Sequence, residues 1–150
     1  MAPRQGESAL ARAQAICTKR GARLTPLRRR VLELILQSSQ PVGAYALLAQ
    51  LQAGRERLGP PTVYRALEFL LAHKLIHKIE TSSAFIACID IEHPHQSQFM
   101  ICEDCGATEE IRDDEIVEAV RRIGEGRGYV VERQVIEVRG FCPACRSAHQ

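Results

Sequence analysis

Residues 59–89 read GPPTVYRALEFLLAHKLIHKIETSSAFIACI, and a change of period half-way along this stretch decides the fold. Pro60 and Pro61 suit the first turn of a helix, where an N–H has no intrahelical partner. Val63, Leu67 and Leu70 then share one face at helical spacing. From Leu75 the pattern shortens to two β-rich runs around a polar turn, which predicts a hairpin. Three more helices are read upstream. Leu10, Ala13 and Cys17 carry the first, which ends near Gly21. RLTPLRRRVLELILQ, residues 23–37, puts Thr25 at an N-cap and Pro26 at the first helical position, ahead of a stripe of Val31, Leu32, Ile35 and Leu36. GAYALLAQLQ, residues 43–52, turns Leu47, Leu48 and Leu51 inward. Helices followed by a hairpin predict a winged helix-turn-helix.

The second half reads differently. SQFMI and ATEEI, at 97–101 and 107–111, are short strands. DDEIVEAVRRIGE, at 113–125, is an acid-started helix with Ile116, Val117, Val120 and Ile123 on one side. YVVERQVIEVRGF, at 129–141, reads as one long strand. The expected fold class is α+β. A winged-helix domain fills 1–89, a hinge spans 90–97, and a small α/β domain fills 98–150. A domain so thin in apolar residues needs a staple.

Two C-x-x-C pairs supply one. Cys102 and Cys105 are separated by 36 residues from Cys142 and Cys145. Two sulfurs from each of two tight turns match a closed tetrahedral thiolate site for structural zinc, with Gly106 easing the first bend. Such a site leaves no open position for catalysis, and no H-E-x-x-H occurs, so an enzyme is not expected. The two pairs flank strands and turns rather than a helix start, against redox-active pairs.

The whole-chain charge of +2 hides an asymmetry. Residues 1–85 carry 13 Lys/Arg against 5 Asp/Glu, a net of +8; residues 86–150 carry 7 against 13, a net of −6. The basic half is suited to a polyanion. On the fourth helix Arg65 lies opposite the apolar face and Tyr64 on its flank. Arginine can bond guanine O6 and N7 together, and a tyrosine ring can pack on a thymine methyl. The candidate DNA contacts are Tyr64, Arg65, Thr62 and Tyr45, with Arg28 and Arg29 beside Arg30 for phosphates. No apolar run approaches a membrane span, and Arg4, Glu7, Arg12, Lys19 and Arg20 interrupt any signal-peptide core. The expected location is the cytoplasm.

RLTPLRRRVL, PPTVYRALEFL, HKIE, MICEDCGATEE and CPAC, in this order, resemble the ferric uptake regulator family, and within it the zinc uptake regulators. The resemblance covers nearly the whole chain. It implies a homodimeric repressor of double-stranded DNA with a palindromic operator, whose C-terminal domain dimerises. It implies structural zinc on Cys102, Cys105, Cys142 and Cys145, and DNA contact by Tyr64 and Arg65. No membrane or small-molecule substrate is implied.

The family senses metal at a second site, for which several donors of this sequence remain. Cys17 continues an apolar stripe and His149 lies on a mobile tail. If residues 81–84 form the wing turn, His77 faces Cys88 directly, close enough to share one metal. The residues alone leave His93 or His95, and Glu109 or Glu110, open. The resemblance selects His95 and Glu110. A set of His77, Cys88, His95 and Glu110 favours zinc over ferrous iron, because a soft thiolate is included. One structural and one regulatory zinc per subunit are expected, the second acting as corepressor by fixing the orientation of the two domains. An iron- or peroxide-responsive regulator of the same family, or a zinc-ribbon interaction module, are the alternatives.

Overall fold

The computed structural model describes residues 3–54 and 57–150, with backbone alone for residues 3–5. The chain forms two compact units, Met1–His93 and Pro94–Gln150.

The first unit contains α1 (Pro3–Lys19), α2 (Pro26–Gln37), β1 (Val42–Gly43), α3 (Ala44–Ala53), α4 (Pro60–Ala72), β2 (Ile76–Ile79) and β3 (Ala84–Ala87). Gly21, at φ +68°, makes the left-handed turn after α1 that a side chain would oppose. Thr25 caps α2, its hydroxyl accepting from the Arg28 N–H at 3.4 Å. Cys17, Val31, Leu47, Val63, Leu67 and Leu70 meet in one core. The helical spacing of these positions turns one face of each helix towards it. The strand order β1-β3-β2 is antiparallel throughout and forms the wing. The sequence carries no signal for β1, which is two residues long and exists because Val42 meets Phe85.

The wing register corrects one expectation. Ile79 pairs with Ala84, so the turn is Glu80–Ser83, and His77 faces Ile86 rather than Cys88. Cys88 lies just past β3, its N–H donating to the Leu75 carbonyl at 3.1 Å. Ile79 and Ala84 are both buried and close the inner face, and Ser83 takes φ +51° to complete the turn. The shift is by an even number of residues, so His77 and Cys88 remain on one face, diagonally related.

The second unit contains β4 (Ser97–Cys102), β5 (Thr108–Ile111), α5 (Asp114–Glu125), β6 (Val135–Gly140) and a 3-10 turn at Arg146–His149. β4 is central, antiparallel to β5 and parallel to β6. Asp113 caps α5, accepting from the Glu115 and Ile116 N–H groups at 2.9 and 3.1 Å, with Asp114 and Glu115 favoured by the helix dipole. The expected long strand at 129–141 is shorter than its pattern. β4 offers partners only from Ser97, which pairs with Val135, so residues 129–134 have no ladder to join. Among the described residues the buried side chains here are Phe99, Cys102, Gln98, Glu110 and Gln134. Ile116, Val120 and Ile123 of α5 stay partly exposed.

Candidate metal centres and nucleic-acid interface

Cys102 ends β4 and Cys105 lies in the turn that the Gly106 N–H closes on the Cys102 carbonyl at 3.0 Å, with Gly106 at φ +71°. Cys142 follows β6, and a second turn closes when the Cys145 N–H donates to the Cys142 carbonyl at 3.0 Å. Both turns lie at the same end of the sheet because β4 and β6 run parallel and Cys102 pairs with Gly140. The four Sγ atoms lie within 4.8 Å of one another, with Cys105 and Cys142 at 3.8 Å. A tetrahedral ZnS4 centre with Zn–S bonds of about 2.3 Å has sulfur–sulfur edges of about 3.8 Å. Backbone N–H groups of Cys105 and Cys142 point at the Cys102 sulfur and lower its thiol to about 6. Hydrogen bonding with the Cys142 and Cys105 thiols raises Cys145 to about 12. One thiolate is stabilised by the fold and the full set needs a cation, so the donor set fits zinc.

The other donors fall into two pairs, one in each unit. On the wing, a ring nitrogen of His77 and the Cys88 Sγ lie within 4.8 Å. In the second unit His95 Nε2 meets Glu110 Oε1 at 2.6 Å, and both side chains are buried. Glu110 faces inward opposite Phe99, whereas Glu109 is exposed opposite Met100. His93 pairs with Asp90 at 2.9 Å on the surface. A thiolate beside an imidazole, and a carboxylate beside an imidazole, are each donor pairs that suit zinc.

Tyr64 and Tyr45 are exposed, near the N-terminal ends of α4 and α3. Arg65 is exposed on α4, and Thr62 is half-buried with its N–H on the Gly59 carbonyl at 3.1 Å. The three arginines of α2 differ from one another. Arg29 is exposed, Arg30 is paired with Glu33, and Arg28 is half-buried with its guanidinium 3.8 Å from the centre of the Phe69 ring. Solvent-facing aromatic and basic side chains on a winged helix are the kinds of group that helix-turn-helix recognition uses.

The ferric uptake regulator family model matches residues 19–139. The chain belongs to this family. This family member is 37% identical over 137 residues to the zinc uptake regulation protein of Escherichia coli (strain K12), spanning 91% of this chain and 80% of that protein. It is 28% identical to the zinc uptake regulation protein of Mycobacterium tuberculosis (strain H37Rv), over 85% of this chain and 97% of that one. A solved zinc uptake regulator complexed with zinc and DNA is 35% identical, with 96% of this chain and 97% of that chain covered and a TM-score of 0.91. Holo XcZur is 38% identical, over 93% and 98% of the two chains, with a TM-score of 0.85.

Two features of this ferric uptake regulator family member had no sequence signal. His149 is held, not mobile: its ring stacks on Phe141 at 3.6 Å, and its Nε2 meets Asp104 Oδ2 at 2.6 Å. The stack forms because the 3-10 turn after Cys145 folds the tail back on the residue before Cys142. The inward turn of Arg28 onto Phe69 is the other, since the partners are far apart in sequence.

Proposed function

We propose that this protein is a zinc-responsive, DNA-binding transcriptional repressor that controls zinc uptake genes as a homodimer. The likeness to the zinc uptake regulator complexed with zinc and DNA, 35% identical at a TM-score of 0.91, carries this reading. The donor chemistry supports it, because a cysteine among the sensing ligands favours zinc over ferrous iron.

In this reading Cys102, Cys105, Cys142 and Cys145 hold a structural zinc, and His77, Cys88, His95 and Glu110 hold a regulatory one. Bound zinc supplies a crosslink between donors and no reaction chemistry. His77 and Cys88 belong to the winged helix, whereas His95 lies in the hinge of residues 90–97 and Glu110 in the domain that follows it. Ligation by both pairs restricts the hinge and shifts the population towards one orientation of the two domains. Tyr64, Arg65, Thr62 and Tyr45 then meet the major groove of both half-sites of a palindromic operator, and Arg29 meets phosphate. By linkage, the operator tightens zinc binding by the factor by which zinc tightens operator binding. The partly exposed Ile116, Val120 and Ile123 of α5 supply apolar area for the dimer. No helix among the described residues is long and apolar enough to cross a membrane, and the proposed location is the cytoplasm.

The test is operator binding by fluorescence anisotropy at fixed salt, with zinc and then ferrous iron titrated into metal-depleted dimer. Zinc-dependent tightening on a palindromic duplex is expected. An equal response to iron, or none to zinc, would refute the reading.

A further inference from the structure

We propose that Arg28 is a positioning residue for the recognition helix α4, acting through Phe69, and not a phosphate contact. The inference rests on the DNA-binding reading above. Its guanidinium Cζ lies 3.8 Å from the Phe69 ring centre, and Nη1 donates to the Arg23 carbonyl at 2.7 Å. One face of the guanidinium is covered and one of its donors is used inside the protein. The Phe69 ring in turn lies 4.3 Å from the His73 ring, tilted by 44°. The His73 carbonyl accepts from Arg20 Nη1 at 2.5 Å. Arg20, just past α1, and Arg28, in the first turn of α2, therefore grip the C-terminal half of α4 at two points, His73 and Phe69.

Phe69 lies one helical turn beyond Arg65, so the grip acts close to the base-reading residue. A helix of this length spans about 20 Å, and a tilt of about 5° at its far end moves its N-terminus by about 1.7 Å. That displacement exceeds the tolerance of a bidentate hydrogen bond. The backbone supports the arrangement from the other side, since the Arg28 N–H is the one capped by Thr25. Arg28 thus leaves its capped turn already directed at α4. Arg29, exposed on the same helix, has no such engagement in the hydrogen bonds or ring contacts described, and is the phosphate contact by comparison.

A flat guanidinium stacked on a ring and bonded to a carbonyl is not replaced by a lysine, whereas a phosphate contact largely is. The experiment uses zinc-loaded, full-length protein and two duplexes, one palindrome selected by the wild type from random sequence and one random. Arg28→Lys, Phe69→Leu and Arg29→Ala are compared across salt concentrations. Arg28→Lys is expected to lower the ratio of specific to random affinity about fivefold per half-site, with the salt slope unchanged. Phe69→Leu, which keeps the charge of Arg28, should do the same. Arg29→Ala should lower both affinities together and reduce the slope by about one per half-site. Wild-type discrimination by either Arg28→Lys or Phe69→Leu, each shown folded by its thermal melt, overturns the proposal. So does a slope that falls when Arg28 is replaced by alanine. A wild type that selects no duplex overturns the DNA-binding reading together with this one.

Discussion

Replacing Cys142 by serine tests whether the second unit depends on zinc for its fold. In that unit Phe99 is the large apolar side chain that is fully buried, among the described residues, and three of the other buried side chains are Gln98, Glu110 and Gln134. Burying one phenylalanine contributes about 1.5–3 kcal/mol. Structural zinc in small peptides contributes about 10–16 kcal/mol at neutral pH. The metal therefore outweighs the burial of that ring several-fold. Cys142 also lies at the junction of the two turns, with its N–H on the Cys102 sulfur at 3.3 Å and its own sulfur 3.8 Å from Cys105. Loss of an outer-shell hydrogen bond already costs a metal site about 10–100-fold in affinity, so loss of a ligand should exceed about 100-fold. The assay is zinc content after dialysis against a chelator, with circular dichroism and sedimentation on the same sample. Cys142→Ser is expected to lose this zinc and the cooperative melt of the second unit, while the first unit still melts. A variant that keeps its full zinc after chelation and unfolds like the wild type would refute the reasoning.

Cys88→Ser should leave the structural zinc and the dimer intact yet abolish the zinc dependence of operator binding; normal zinc response would reduce Cys88 to a wing residue. His77→Ala should behave alike, and the double variant should be hardly worse than either alone, because two ligands of one ion are not independent. Arg65→Ala should cost about 1–3 kcal/mol per half-site and relax base preference there, and equal loss on random DNA would show that Arg65 reads no base. Thr25→Ala removes the cap of α2 and should lower the stability of the first unit by about 1 kcal/mol in denaturant melts, with metal content unchanged.

The donors of the candidate sites were legible to different depths. The C-x-x-C spacing names all four cysteines because each pair is local, and two residues between ligands set a turn whatever surrounds it. His95 and Glu110 could not be separated from His93 and Glu109 by spacing. The structure brings His95 and Glu110 within 2.6 Å and turns Glu109 to solvent, which follows from the pairing of β5 with β4. His77 and Cys88 were expected directly opposite one another and are diagonal instead. The placement of the four-residue turn was the assumption that failed, since it spans 80–83 rather than 81–84, and a hairpin with polar residues TSS at its tip has several turns available to it.

By itself the sequence determined the helices of the first unit, the wing, the four-thiolate cluster and the outward position of Arg65 on α4. Each rests on short-range physics: apolar period, capping residues, ligand spacing and charge. Only the tertiary structure decided the short β1, the early limit of β6, the docking of His149 on Phe141 and the turning of Arg28 onto Phe69. These depend on partners between 8 and 43 residues away along the chain, as Val42 from Phe85 or Arg28 from Phe69. A strand exists only as far as its neighbour offers hydrogen bonds, and a guanidinium on a helix surface chooses solvent or a ring according to what packs beside it.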